Sequence, residues 1–313
     1  MTEEERKKFY SDLDLVYESG DRCSVETFLT EQAAVYAHEN GGVNDAYLSC
    51  LSELGSFYRG ASRYEEALEM FRRADAIIVP IFGEFSLEHS VNVNNMAGAY
   101  RMMGEAEKAL ELFLEALRIC EALPEKNSYV YASALNNTSL LYQLKKEYEK
   151  SVYYMRSSIR ELEKVPAAKN ELATAYSNLS VQLSSMGEKD EALMLLDKSI
   201  ELFRVLGDKG DHYAAALNGK GVLSAERGNI AEAKETFQEA LSIIEAGLGE
   251  NADYGITCRN MARTLAKNGE YKEALSYMRR AAGIFNRIFG EEHQLAKSAA
   301  KELNEMENLL NRP

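Results

Sequence analysis

The chain has 313 residues, of which 46% are hydrophobic, with four prolines, four cysteines, no tryptophan and a formal net charge of −14. That acidic balance excludes nucleic acid and anionic membrane as principal partners, because both demand concentrated Lys and Arg. No stretch is apolar enough to span a membrane, the opening Met1-Thr2-Glu3-Glu4-Glu5-Arg6 lacks the basic and apolar regions of a secretory leader, and Cys23, Cys50, Cys120 and Cys258 are scattered without metal-binding spacing, so a reduced, cytoplasmic setting is expected.

Residues 1–44 read as a degenerate first helix pair that also caps one end. Gly20 precedes Val25 by five positions, and Gly41 occupies the loop position that Gly83 takes 42 residues later. Asp12, Asp14, Glu18 and Asp21 supply the polar surface that the open end of a repeat stack needs.

From residue 45 to 290 one frame recurs six times: a turn residue, a small residue five later, then a large apolar residue four beyond that small residue and a second small one seven beyond it, three past the large one. Ser62 leads to Ala67, Phe71 and Ala74; Gly104 to Ala109, Phe113 and Ala116; Lys146 to Ser151, Met155 and Ser158. Gly187 leads to Ala192, Leu196 and Ser199; Gly228 to Ala233, Phe237 and Ala240; Gly269 to Ala274, Met278 and Ala281. The small anchors are spaced 42, 42, 41, 41 and 41 residues, which is the signature of a repeat architecture. Seven residues before each turn stands another small residue, Gly55, Ala97, Ser139, Ser180, Gly221 or Ala262. A small residue there lets two helix backbones approach, and the large apolar residue fills the space between units. Each unit is therefore predicted to be a helix hairpin, with breaks between units at Pro80, Pro124 and Pro166 or at Gly207, Gly249 and Gly290. Residues 291–313 predict a final capping helix: Leu295, Ala299, Leu303, Met306 and Leu310 form an inward stripe, and Lys297, Glu302, Glu305 and Glu307 an outward polar face.

Small-residue pairs, a Gly turn and an aromatic four after the Ala resemble the tetratricopeptide repeat in a long form. Tyr58, Tyr100 and Tyr142 match that family's tyrosine four before the turn, whereas Leu183, Ser224 and Leu265 replace it later. The inter-repeat loops, Phe82-Gly83 with His89, Leu206-Gly207 with His212, Leu248-Gly249, and Phe289-Gly290 with His293, are similar to those of kinesin light chains. The resemblance implies an all-α, right-handed superhelical solenoid of about seven units plus a capping helix, a single domain over residues 1–313. It also implies a non-catalytic module that captures an extended segment of protein or peptide in a concave groove.

No phosphate loop, nucleophile elbow, paired-His metal helix or redox pair is found, so no catalytic centre, metal or cofactor is expected. His89, His212 and His293 recur at one loop site of different repeats and are expected to cap helices or lie at the surface; His38 ends the first unit. Asparagine inside the first helix of each hairpin needs a reason, because Asn is a poor helix former. Asn95, Asn137, Asn178 and Asn260 stand nine residues before the turn, and Asn94, Asn136 and Asn218 ten before. By the family's geometry this ladder faces the groove, where an amide offers donor and acceptor to a peptide backbone; it can equally bond to neighbouring helices. Arg59, Arg101, Arg259, Arg263 and Lys267 share that side, against Glu226 and Glu53, and favour a segment carrying Asp, Glu or a terminal carboxylate. Leu140, Val181 and Val222 make its middle more apolar. A peptide-pheromone sensor acting through a partner, and a self-assembling structural protein, are the alternative readings.

Overall fold

A computed structural model of the chain describes residues 3–38 and 44–310, and all regular structure among them is α-helical. Gly41, Met1, Thr2 and residues 311–313 lie outside the described residues. No helix among those described is long and apolar enough to cross a membrane. Two compact units are formed, residues 1–161 and 162–313. The first holds α1 (Glu3–Glu18), α2 (Arg22–Ala37), α3 (Asp45–Gly60), α4 (Tyr64–Phe82), α5 (Leu87–Met103), α6 (Ala106–Ala122), α7 (Ser128–Leu144) and all but the last residue of α8 (Tyr148–Leu162). The second holds α9 (Lys169–Met186), α10 (Lys189–Leu206), α11 (Asp211–Glu226), α12 (Ile230–Leu248), α13 (Ala252–Lys267), α14 (Tyr271–Phe289) and α15 (Gln294–Leu310).

Within each unit the helices pair as the repeat predicts. α3 packs on α4, α5 on α6, α9 on α10, α11 on α12 and α13 on α14, and odd helices also touch the next odd helix, as α5 touches α7 and α11 touches α13. The small anchors are sealed inside: Ala67, Ala109, Ala192, Ala233 and Ala274 have no exposed surface. Where the frame substitutes serine for alanine, the hydroxyl is satisfied, across the hairpin at Ser139, Ser151, Ser158 and Ser199 and by the Ser177 carbonyl of its own helix at Ser180. Ser139 Oγ donates to the Ser151 carbonyl at 2.7 Å, Ser151 Oγ to the Ser139 carbonyl at 2.8 Å, and Ser158 Oγ to the Ala132 carbonyl at 2.8 Å. A buried hydroxyl is tolerated only with such a partner.

The small residue before the turn has the purpose its position suggested. A Cβ on Gly55 would lie 2.4 Å from the Phe71 ring, and one on Gly221 2.6 Å from the Phe237 ring. Both phenylalanines are fully buried.

All six turn positions adopt the left-handed backbone. Gly104, Gly187, Gly228 and Gly269 do so with φ of 84°, 89°, 84° and 83°; Ser62 and Lys146 do so with φ of 61° and 60°. A residue with a Cβ is strained there by roughly 1–2 kcal/mol, partly offset by the greater freedom glycine has in the unfolded chain. Lys146→Gly is therefore expected to stabilise the protein by about 0.5–1 kcal/mol, read as a higher urea midpoint with unchanged slope; a lower midpoint would show that Lys146 has a role its backbone does not reveal.

Three expectations are corrected. Pro80 does not break its helix: α4 runs through it to Phe82 and ends at Gly83, with φ 88°. Only two helical residues follow the proline, so the single hydrogen bond it forfeits falls in the last turn, where the loss is least disruptive. The second correction concerns His89. Ser86 caps α5, accepting from the His89 backbone N–H at 3.2 Å. The His89 ring instead meets the Glu84 carbonyl at 2.7 Å and Asp75 at 3.3 Å. His293, by contrast, does accept from the Leu295 N–H at 3.2 Å, and His212 is exposed.

The third concerns α15. Its apolar stripe docks as expected, with Ala296, Ala299 and Met306 buried and Leu295 and Leu303 packed on the core of the second unit. Its polar face does not all point to solvent. Glu302 is turned inward and only 19% exposed, because two arginines of α13 await it.

Candidate functional site

The residues singled out on the odd helices divide between the two units, Asn94, Asn95, Asn136, Asn137, Arg59 and Arg101 in the first and Asn178, Asn218, Asn260, Arg259, Arg263 and Lys267 in the second. Every ladder asparagine is half-buried, with its backbone committed to the helix.

In the first unit Asn137 Nδ2 of α7 donates to Asn94 Oδ1 of α5 at 3.1 Å. In the second unit Asn260 Nδ2 of α13 donates to Asn218 Oδ1 of α11 at the same 3.1 Å. The geometry repeats: the amide nine before one turn donates to the amide ten before the preceding turn. Asn136 Nδ2 also reaches Asn137 Oδ1 at 3.4 Å, and Asn136 and Asn178 have further partners. An amide carries two donor hydrogens and two acceptor lone pairs. One bond to a neighbour therefore orients each side chain and leaves capacity for a second partner, so bonding to neighbouring helices and offering groups outward are compatible.

The arginines divide sharply. Arg259 and Arg263, one helical turn apart on α13, both close on Glu302 of α15: Arg259 Nε donates at 3.1 Å, and Arg263 Nε and Nη2 each donate at 2.8 Å. Arg259 Nη2 also bonds Glu302 and Ser298 Oγ. Burial alone would raise the Glu302 carboxyl, but hydrogen bonds from Arg263 and Arg259 and their charges override it and hold it at about 2. Sequence phase placed Arg259 and Arg263 on the binding side; the structure fills that place with the chain's own carboxylate. Lys267 is exposed, and Glu226 pairs with Lys189 at 2.7 Å.

Arg59 and Arg101 are different. Arg59 Nη1 donates to Asn95 Oδ1 at 3.4 Å, and among the described residues neither guanidinium has a carboxylate within ion-pair distance. Burial pushes Arg59 down from its ordinary value, with the neighbouring Arg101 charge adding to it, and burial pushes Arg101 down likewise. Arg101 Nε is buried without a hydrogen-bond partner.

Gly98 in the first unit, and Ser298 and Glu302 in the second, touch the arginines singled out and were missed. Gly98 carries a signal in hindsight, standing where other repeats carry Leu140, Val181 or Arg263. A Cβ there would lie 2.8 Å from Arg59 Nη1, so the bare backbone makes the seat for that guanidinium.

With this geometry in place, comparison with known proteins is informative. A tetratricopeptide repeat profile matches residues 89–164 and 171–246, and a second tetratricopeptide repeat profile matches residues 48–83 and 256–295. The protein kinesin light chain-related 2 of Arabidopsis thaliana is 26% identical over 124 residues. That match takes in 39% of this chain and only 19% of the plant protein's length. Among solved structures, a Rap protein complexed with competence and sporulation factor superposes with a TM-score of 0.62 at 13% identity, over 97% of this chain and 85% of its own. BtubC (BKLC) of P. vanneervenii gives 0.54 at 19% identity, over 84% of this chain and 94% of its own. At such identities these likenesses describe the fold.

Proposed function

Because this chain belongs to the tetratricopeptide repeat family, we propose that it is a non-catalytic binding module that takes an extended segment of a partner protein or peptide along the exposed side of its odd-numbered helices. One observation supports this above the rest. The ladder amides are oriented by bonds between adjacent helices, Asn94 with Asn137 and Asn218 with Asn260, and one such bond does not exhaust an amide's hydrogen-bonding capacity. A pre-oriented amide loses little side-chain entropy when it captures a main-chain group, which is the advantage of preorganisation. Partner side chains would then be sorted by what flanks the amides in each unit, Arg59, Arg101 and Leu140 in the first and Val181 and Val222 in the second.

A screen of immobilised peptides with the native protein and with Asn137→Ala/Asn178→Ala tests it, circular dichroism confirming that the variant is folded. We expect the native protein to retain a specific set that the folded variant loses. If both retain the same set, the ladder is structural and recognition lies elsewhere.

A second reading, a sensor of a signalling ligand that acts through a partner protein, draws on the likeness to the Rap protein complexed with competence and sporulation factor. It would use the same ladder. Its distinguishing outcome is a single preferred peptide in that screen, where a scaffold retains a family of related segments.

A further inference from the structure

We infer that Arg59 and Arg101, with the Asn95 amide, form an anion site in the first unit that takes the carboxylate of an Asp or Glu side chain on an extended partner segment. This rests on the binding reading above and assigns the acidic preference to one pair of residues.

Among the described residues, Arg63, Arg73, Arg118, Arg204, Arg227, Arg259, Arg263, Arg279, Arg280 and Arg287 pair with carboxylates. With 50 acidic residues available, two adjacent half-buried guanidinium groups without one are a consequence of placement. A charged donor out of water without a partner is costly, and Arg101 Nε is such a donor. Both arginines stand in the last turn of their helices, where the helix field favours a cation. That field accounts for their charge and leaves the Nε without an acceptor.

The second unit supplies the template. There two arginines on the same side of an odd helix converge on one carboxylate, Glu302, which bonds both forks. Arg59 and Arg101, on adjacent odd helices α3 and α5 and not on one helix, likewise have the donors to share one carboxylate, with the acceptor to come from outside. Gly98 holds the seat open, since any side chain there would displace Arg59 Nη1. The amides of Asn94 and Asn95 lie on the same helix as Arg101, so a segment whose backbone meets the ladder would present its side chains beside the guanidinium pair.

Fluorescence anisotropy with two labelled, C-terminally amidated peptides of about ten residues, alternating Glu-Ser and alternating Gln-Ser, tests the site at low ionic strength. Charge-assisted hydrogen bonds of this kind predict at least about tenfold tighter binding of the Glu peptide to the native protein. Arg59→Gln/Arg101→Gln should erase that preference while melting no lower than the native protein, because it removes two uncompensated charges; a pair with only a structural role would melt lower. Gly98→Ala should weaken the preference and raise the melting temperature, alanine being the better helix former. In nitrogen-15 spectra the Arg101 Nε–H resonance should move with the Glu peptide. No preference in the native protein, or a preference that survives in the folded double variant, overturns the proposal. So does an Arg101 resonance that acetate or inorganic phosphate moves as far as the Glu peptide at equal concentration, which would mark a site for free anions only. Equal binding of both peptides sinks this assignment alone, because the asparagine variants test the groove without reference to charge.

Discussion

Phe237→Ala is expected to destabilise the second unit by about 4 kcal/mol. The ring is fully buried among Ala233, Leu241, Cys258 and Met261, and one edge occupies the space over the bare Cα of Gly221. Removing it leaves a cavity on the seam between α11 and α12, whose walls are two helices held at a distance set by that ring. Because a repeat stack is stabilised by nearest-neighbour packing, the loss should be local at first. Hydrogen exchange in residues 211–248 should accelerate before that in residues 45–122, and urea unfolding should begin earlier with a broadened or divided transition. The partner substitution makes the test sharper. Gly221→Ala alone should be destabilising by about 1 kcal/mol, since overpacking against the ring outweighs the gain in helix propensity. In the Phe237→Ala background the same methyl fills part of the cavity, so the two effects should be strongly non-additive. Additive effects would show that ring and glycine do not share one space. The corresponding pair, Gly55 with Phe71, predicts the same behaviour in the first unit.

Glu302→Lys should release α15 from α13. The carboxylate is the shared acceptor of Arg259 and Arg263, and lysine would set a third cation against both. Breaking a largely buried pair leaves uncompensated charge. Arg263 is 48% exposed, so solvent screening reduces the effect, and about 2 kcal/mol is expected for the docking of α15. Loss of exchange protection across residues 294–310 is the direct measurement. The released helix also bares Ala296, Ala299 and Met306 and the surface they cover, so light scattering should detect self-association. An α15 that stays protected would mean that the apolar stripe alone holds it. The milder Glu302→Gln tests the charge through pH. The folded carboxyl is held at about 2 against an ordinary 4.5, so its contribution is complete above about pH 4.5 and is lost as pH falls toward 2. Native protein should lose stability across that window more steeply than Glu302→Gln, and the two curves should converge at its acid end.

Together these expectations separate what holds the stack from what it presents. Small residues packed on large ones close the helix hairpins, and between consecutive odd helices Asn94 meets Asn137 and Asn218 meets Asn260. The C-terminal helix then closes one basic patch, Arg259 with Arg263, and Arg59 with Arg101 remains open.

Much of this was written in the sequence, for a local reason. The frame from Ser62 to Ala281 names its own turns, because a chain reversing between two helices within a few residues needs a left-handed residue, and all six positions have one even where glycine is absent, at Ser62 and Lys146. The pairing of small with large residues, Gly55 with Phe71 and Gly221 with Phe237, follows from helix period and a fixed hairpin length, both countable along the chain. Pro80 was misread because the penalty for a proline depends on how many helical residues come after it, which the frame does not state. The partners of the long charged side chains were beyond such counting. Glu302 lies 43 residues from Arg259 in a helix that falls outside the repeat, and its inward turn depends on how α15 docks. Nothing in the phase of Arg59 and Arg101 distinguishes them from Arg259 and Arg263; only tertiary structure decided that one pair would be neutralised within the chain and the other left with a buried donor and no acceptor. Helix period is a property of the backbone and repeats with it. Charge pairing is a property of side-chain reach across elements, and helix period does not determine it.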